Sequence, residues 1–163
     1  MTLHPEEQKK ARRKAMQLLE HMDRTEKSLS DRLGQAGFSK EAVADAIAYV
    51  KSYGYVDDLR YARNYISYRL ETKSRQKLLA ELSVKGVSRE TAIKAWDEAA
   101  ELYEPDEREV LRHTVEKKYS SHTELDEKGM RRLMGYLLRR GFSYEDIRHV
   151  LEEMDIVQIN GKF

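Results

Sequence analysis

The sequence predicts an all-α protein built from three tandem three-helix repeats, and three observations predict it. Apolar residues recur at i, i+3, i+4 and i+7 along most of the chain, and no stretch sustains period-two alternation. Three segments align without gaps, starting at Leu29, Leu78 and Leu133. The 163 residues include only 2 Pro and 8 Gly, too few for a turn-rich β protein.

Each repeat opens with a helix whose stripe is legible. Ala11, Ala15, Leu18, Leu19 and Met22 mark a first helix over about Lys9–Met22. Leu59, Ala62, Ile66 and Leu70 mark one over Asp58–Thr72, and Leu111, Val115 and Tyr119 one over Asp106–Tyr119. The aligned segments supply the second and third helices. Leu33, Leu82 and Leu137 close the second helix onto a core, and Gly37, Gly86 and Gly141 follow its end, where positive φ costs a glycine little. An apolar residue comes next (Phe38, Val87, Phe142). Ser39, Ser88 and Ser143 then cap the third helix, and Glu41, Glu90 and Glu145 in its first turn complement the helix dipole. The resulting units are 1–56, 57–104 and 105–163, the last including a short C-terminal tail from Val157 whose role the sequence leaves open.

Composition suits several small cores better than one large one, with 40% hydrophobic and 36% charged residues. Three such cores in tandem predict an elongated, curved molecule. There is no Cys, which excludes disulfides, thiol catalysis and Cys-based zinc sites and is compatible with a reducing cytosol. Met1–Met16 has no apolar segment of the secretory type, and no stretch approaches the ~20 apolar residues that span a bilayer. A cytoplasmic protein without membrane contact is expected.

Chemistry-bearing patterns are few. No glycine-rich phosphate loop or G-x-S-x-G elbow is present. The five His are scattered at positions 4, 21, 113, 122 and 149. Glu109 and His113 share a helix face, but a di-iron bundle needs two Glu-x-x-His motifs and two further inward carboxylates. No catalytic residue, metal site or cofactor is expected, and the chain does not read as an enzyme.

The most distinctive stretch is Gly54-Tyr55-Val56-Asp57-Asp58-Leu59-Arg60-Tyr61-Ala62. Here Gly54 is expected to end a helix, Tyr55 and Val56 to bury the corner, and Asp57 or Asp58 to cap the next helix. With the preceding segment from Ser28 to Val50 and the three-fold repeat, this corner resembles the RecX family of bacterial RecA modulators, over roughly Ala11–Met154. The resemblance implies tandem three-helix repeats and no catalytic site. It also implies binding to the RecA recombinase filament, with limitation of filament growth, strand exchange and ATP hydrolysis in DNA repair, recombination and the SOS response.

Net charge is +1, from 30 Lys plus Arg against 29 Asp plus Glu, so distribution must speak for partners. The third helices are poor phosphate readers. Over 143–154, Arg148 stands against Glu145, Asp146, Glu152 and Glu153, a net −3, and over 88–101 two bases face four acids. Basic charge concentrates on the first helix, where Lys9, Lys10, Arg12, Arg13 and Lys14 oppose Glu20, and on the second helices. There Arg75, Lys77 and Lys85 oppose Glu81, and Arg131, Arg132, Arg139 and Arg140 are unopposed over 129–140. Arg132, Tyr136 and Arg139 share a helix face, a basic-aromatic stripe suited to a phosphate backbone or an acidic protein surface. The candidate partner-binding residues are therefore Arg12, Arg13, Arg75, Lys77, Arg131, Arg132, Arg139 and Arg140. The expected partner is the RecA filament, with single- or double-stranded DNA as a further one and the chain itself a monomer. The alternative is a stand-alone helical DNA-binding or architectural protein acting without RecA.

Overall fold

The computed structural model describes residues 3–159. Helix α1 (Pro5–His21) opens on a proline, which fits a first helical turn because its missing N–H has no helical partner there. It is followed by α2 (Glu26–Gln35) and α3 (Lys40–Ser52), then α4 (Asp58–Ser67), α5 (Arg75–Val84) and α6 (Arg89–Tyr103), and finally α7 (Glu107–Glu116), α8 (Glu127–Arg139) and α9 (Tyr144–Glu153). The fold is all-α, with three-helix units in tandem as the repeats predict.

Two first helices are shorter than their apolar spacing suggests. After Ser67 the backbone continues in three-residue turns, from Arg69 N to Ile66 O and from Thr72 N to Arg69 O, and these still bring Leu70 into the interior. Similarly, α7 ends at Glu116 while Tyr119 remains half-buried. Apolar spacing records which residues go inside, and a tight turn satisfies it as well as a helix does.

The repeated frame is structural throughout. Leu33, Leu82 and Leu137 are fully buried. Gly37, Gly86 and Gly141 have φ of +95°, +96° and +93°. The hydroxyls of Ser39, Ser88 and Ser143 accept the N–H groups of Ala42, Thr91 and Asp146.

The chain divides into two compact units, Met1–Tyr65 with Glu81–Glu98, and Ile66–Ala80 with Ala99–Phe163. In the first, a core of small and branched residues (Ala11, Ala15, Leu29, Leu33, Ala46 and Val50 among them) lets α1 and α3 pack closely. In the second, Leu111, Val115, Leu133, Leu137, Ile147 and Val150 form the centre of the core.

A linkage absent from any local sequence pattern occurs once in each unit. In the first, buried Thr25 caps α2 by accepting Ser28 N–H at 3.1 Å and donates its hydroxyl to the Lys85 carbonyl at 2.6 Å. The next amide, Glu26 N–H, donates to Asp58 at 2.9 Å, and the Lys27 side chain covers Gly86. In the second unit, buried Ser74 accepts Lys77 N–H and donates to the Arg140 carbonyl at 2.7 Å, Arg75 N–H donates to Glu107 at 2.7 Å, and Gln76 covers Gly141. The first and second repeats thus each seat the first turn of their second helix against the end of the next repeat's second helix. Burial raises the Asp58 and Glu107 carboxyls above their ordinary values, with the accepted N–H opposing the shift.

The tail supplies the one β element among the described residues. Strands β1 (Glu124–Leu125) and β2 (Val157–Gln158) pair in parallel, with Val157 N–H bonded to Thr123 O and Ile159 N–H to Leu125 O. Buried Ile156 anchors the pairing. Residues 160–163 of the tail lie outside the described residues.

Candidate partner-binding surface

On α8 the sequence stripe becomes a cation–aromatic cluster, with different members from those expected. The Tyr136 ring meets two cations, Lys118 Nζ at 3.8 Å and the Arg140 guanidinium at 4.9 Å from its centroid. Lys118 comes from the segment after α7, 18 residues away in sequence, so no helix periodicity could have paired it with Tyr136. Arg139 instead lies back over Gly135, where the missing side chain makes room for the guanidinium. Arg132 and Arg139 are exposed and have no ion-pair partner among the described residues. Arg131 is tied to Glu127 one turn earlier, and both are exposed, so the pair contributes little.

The remaining candidates divide between free and engaged. Arg13 is exposed on α1 without an ion-pair partner among the described residues, as are Lys9 and Lys10. Arg12 is engaged within its own repeat, forming a two-pronged bond to Asp45 at 2.8 and 3.0 Å and lying 4.4 Å over Tyr49. The Arg12 bond holds the Asp45 carboxyl below its usual range, and Asp45 in turn raises the Arg12 guanidinium. Arg75 and Lys77 are half-buried at the start of α5, where their backbone amides belong to the linkage with Glu107 and Ser74. The Arg140 carbonyl receives Ser74, so this residue serves both the linkage and the cluster.

Part of the charge segregation is neutralised internally. First-helix arginines reach third-helix acids in each repeat: Arg12 to Asp45, Arg63 to Glu98, and Arg108 to Asp146. Arg112 also contacts Glu153, which pairs with His149 as well; the arginine is the main cause holding that carboxyl low. The acidic third helices are therefore internal counterions as much as solvated faces. Among the described residues, cations without an ion-pair partner cluster on α1 (Lys9, Lys10, Arg13) and α8 (Arg132, Arg139), while others such as Lys40, Arg89 and Lys94 stand singly on other helices.

Among the described residues no group of three or more His, Cys, Asp and Glu is placed to hold a metal ion, and no helix is long and apolar enough to cross a membrane.

These features define a tandem three-helix repeat protein in which exposed cations cluster on α1 and α8. Family models described as the first, second and third three-helix domains of RecX match residues 11–49, 57–95 and 106–151. The chain is 36% identical over 148 residues to the regulatory protein RecX of Caldanaerobacter subterraneus subsp. tengcongensis, spanning 89% of this chain and 71% of that one. It is 34% identical over 159 residues to that of Amycolatopsis mediterranei, spanning 93% and 89%. The crystal structure of RecX from Lactobacillus salivarius shares the fold, with a TM-score of 0.71 at 22% identity over 93% of this chain and 99% of that one. The chain belongs to the RecX family of regulatory proteins.

Proposed function

We propose that this chain is a non-enzymatic, cytoplasmic regulator that binds the RecA recombinase filament and limits its growth, strand exchange and ATP hydrolysis during DNA repair and recombination. Membership of a family of regulatory proteins supports the regulatory role. The observation that carries the contact surface is the unpaired charge of Arg132 and Arg139 beside the Lys118–Tyr136–Arg140 cluster. Internal ion pairs account for the first-helix arginines 12, 63, 108 and 112, whereas Arg132 and Arg139 have no ion-pair partner among the described residues. A repeat protein with basic helices in more than one repeat engages successive filament subunits as a monomer, and linked weak contacts raise the overall affinity.

Changing Arg132 and Arg139 together to Ala tests this surface. Folding should stay within about 0.5 kcal/mol, as for exposed positions generally. Filament binding should weaken, and if phosphates are contacted the salt dependence should flatten by roughly one unit of slope per lost contact. Glu152→Gln is the acidic control, since Glu153 is committed to Arg112 and His149. Unchanged filament binding by the arginine variant refutes the surface. Strong, steeply salt-dependent binding to bare duplex without any effect on RecA favours the second reading, a stand-alone DNA-binding protein, which the same unpaired cations also suit.

A further inference from the structure

The corner at Gly54–Val56 does not bury both of its apolar residues. Val56 enters the core, but Tyr55 is 46% exposed and Tyr53 is 62% exposed. Their rings stack on each other at 5.7 Å and 16°, and Tyr49 meets Tyr53 edge-on at 5.2 Å. The Arg12 guanidinium lies over the far end of this column, 4.4 Å from the Tyr49 ring. The left-handed Gly54, at φ +73°, turns the chain so that residues 53 and 55 present their rings side by side. Arg60 fixes the turn by donating to the Gly54 carbonyl at 2.8 Å and the Tyr55 carbonyl at 3.4 Å. The column is therefore held in place yet largely outside the core.

Two tyrosines kept stacked in water bury little apolar area, so packing alone does not account for them. On α1, exposed cations without an ion-pair partner among the described residues flank Arg12, which meets the Tyr49 end of the column: Lys9 stands three residues before it and Arg13 follows it. Flat aromatic faces next to a line of cations are the two components of a site for unpaired nucleobases, with rings taking base faces and cations taking phosphates. A duplex hides its base faces within its own stack and offers the rings nothing.

We propose that the Tyr49–Tyr53–Tyr55 column, with Lys9 and Arg13, is a binding site for single-stranded nucleic acid, in which bases stack on the exposed faces of Tyr53 and Tyr55. This site draws on residues of the first unit alone and does not depend on RecA.

The test measures fluorescence anisotropy of a labelled thymidine oligomer of about 20 nucleotides, long enough for the ~4–16 nucleotides such modules occupy, against a duplex of equal length, with no recombinase present. The wild type should bind the single strand about ten-fold more tightly than the duplex. Tyr53→Ala with Tyr55→Ala should weaken single-strand binding about ten-fold or more with little change in salt slope, since stacking contributes ~1–3 kcal/mol per base. Tyr53→Phe with Tyr55→Phe should retain it, because the ring faces remain. Lys9→Ala with Arg13→Ala should instead flatten the salt slope. Urea midpoints of all variants should match the wild type, because the changed side chains lie largely outside the core. Equal affinity for duplex, or an alanine pair that binds like the wild type, overturns the proposal. So does a wild type that ignores the oligomer while the alanine pair loses contact with a RecA filament, which would assign the column to a protein partner.

Discussion

The hydroxyl of Thr25 is expected to hold the first two repeats together, and Thr25→Val isolates its contribution. Valine keeps the β-branched shape and removes two hydrogen bonds, the cap on Ser28 N–H and the donation to the Lys85 carbonyl across 60 residues. Loss of the cap costs about 1 kcal/mol. Losing the donated bond, with the carbonyl facing a side chain that is only 1% exposed, costs about 1 kcal/mol more. The expected total is about 2 kcal/mol, a large fraction of the ~5–15 kcal/mol by which domains are stable. Thr25→Ser is the comparison, because it keeps both bonds and loses one methyl, about 0.8 kcal/mol. Urea melts of the two variants measure the difference at matched m-value. If Thr25→Val is as stable as Thr25→Ser, the hydroxyl does not link the repeats and the account of the linkage is wrong.

Two further expectations concern the same linkage. Gly86→Ala should destabilise more than Gly37→Ala in urea melts. Both glycines have positive φ, but a Cβ at Gly86 would collide with Lys27 Cβ and lie 2.7 Å from its Cδ, whereas Gly37 has open space around it; equal costs would contradict the packing. Burial raises the Glu107 carboxyl above its ordinary value near 4.5, so the folded state binds that proton more tightly than the unfolded chain. Its contribution favours folding below about 4.5 and is lost as pH rises through the higher folded value. Glu107→Gln keeps an oxygen for Arg75 N–H and should raise stability at pH 7 while flattening the pH dependence just above 4.5; a variant less stable at pH 7 with an unchanged slope contradicts this.

The frame of Leu, Gly, Ser and Glu was legible because each residue acts within its own helix end, where spacing determines the partner. Leu82, Gly141 and Ser39 stand as that frame predicts, buried, left-handed and capping. The linkage was not legible. Thr25 and Ser74 look like ordinary N-caps, and the carbonyls they reach lie 60 and 66 residues further on. Of Asp57 and Asp58, either of which the sequence offers as the cap of α4, Asp57 takes that role by accepting Arg60 N–H, and Asp58 serves the start of α2 instead. Among the candidate contacts, charge counting found the basic helices but could not separate Arg12, which Asp45 holds from another helix, from its exposed neighbour Arg13. Tyr55 was misplaced because apolar character beside Val56 suggested a buried corner, whereas stacking on Tyr53 keeps it outside.

The proposed restraint of a RecA filament is read out in the rate of ATP hydrolysis by RecA on single-stranded DNA. Addition of the purified chain should lower that rate in a dose-dependent way, and the Arg132→Ala, Arg139→Ala pair should shift the dose upward. An unchanged rate at several-fold molar excess over RecA contradicts the proposal.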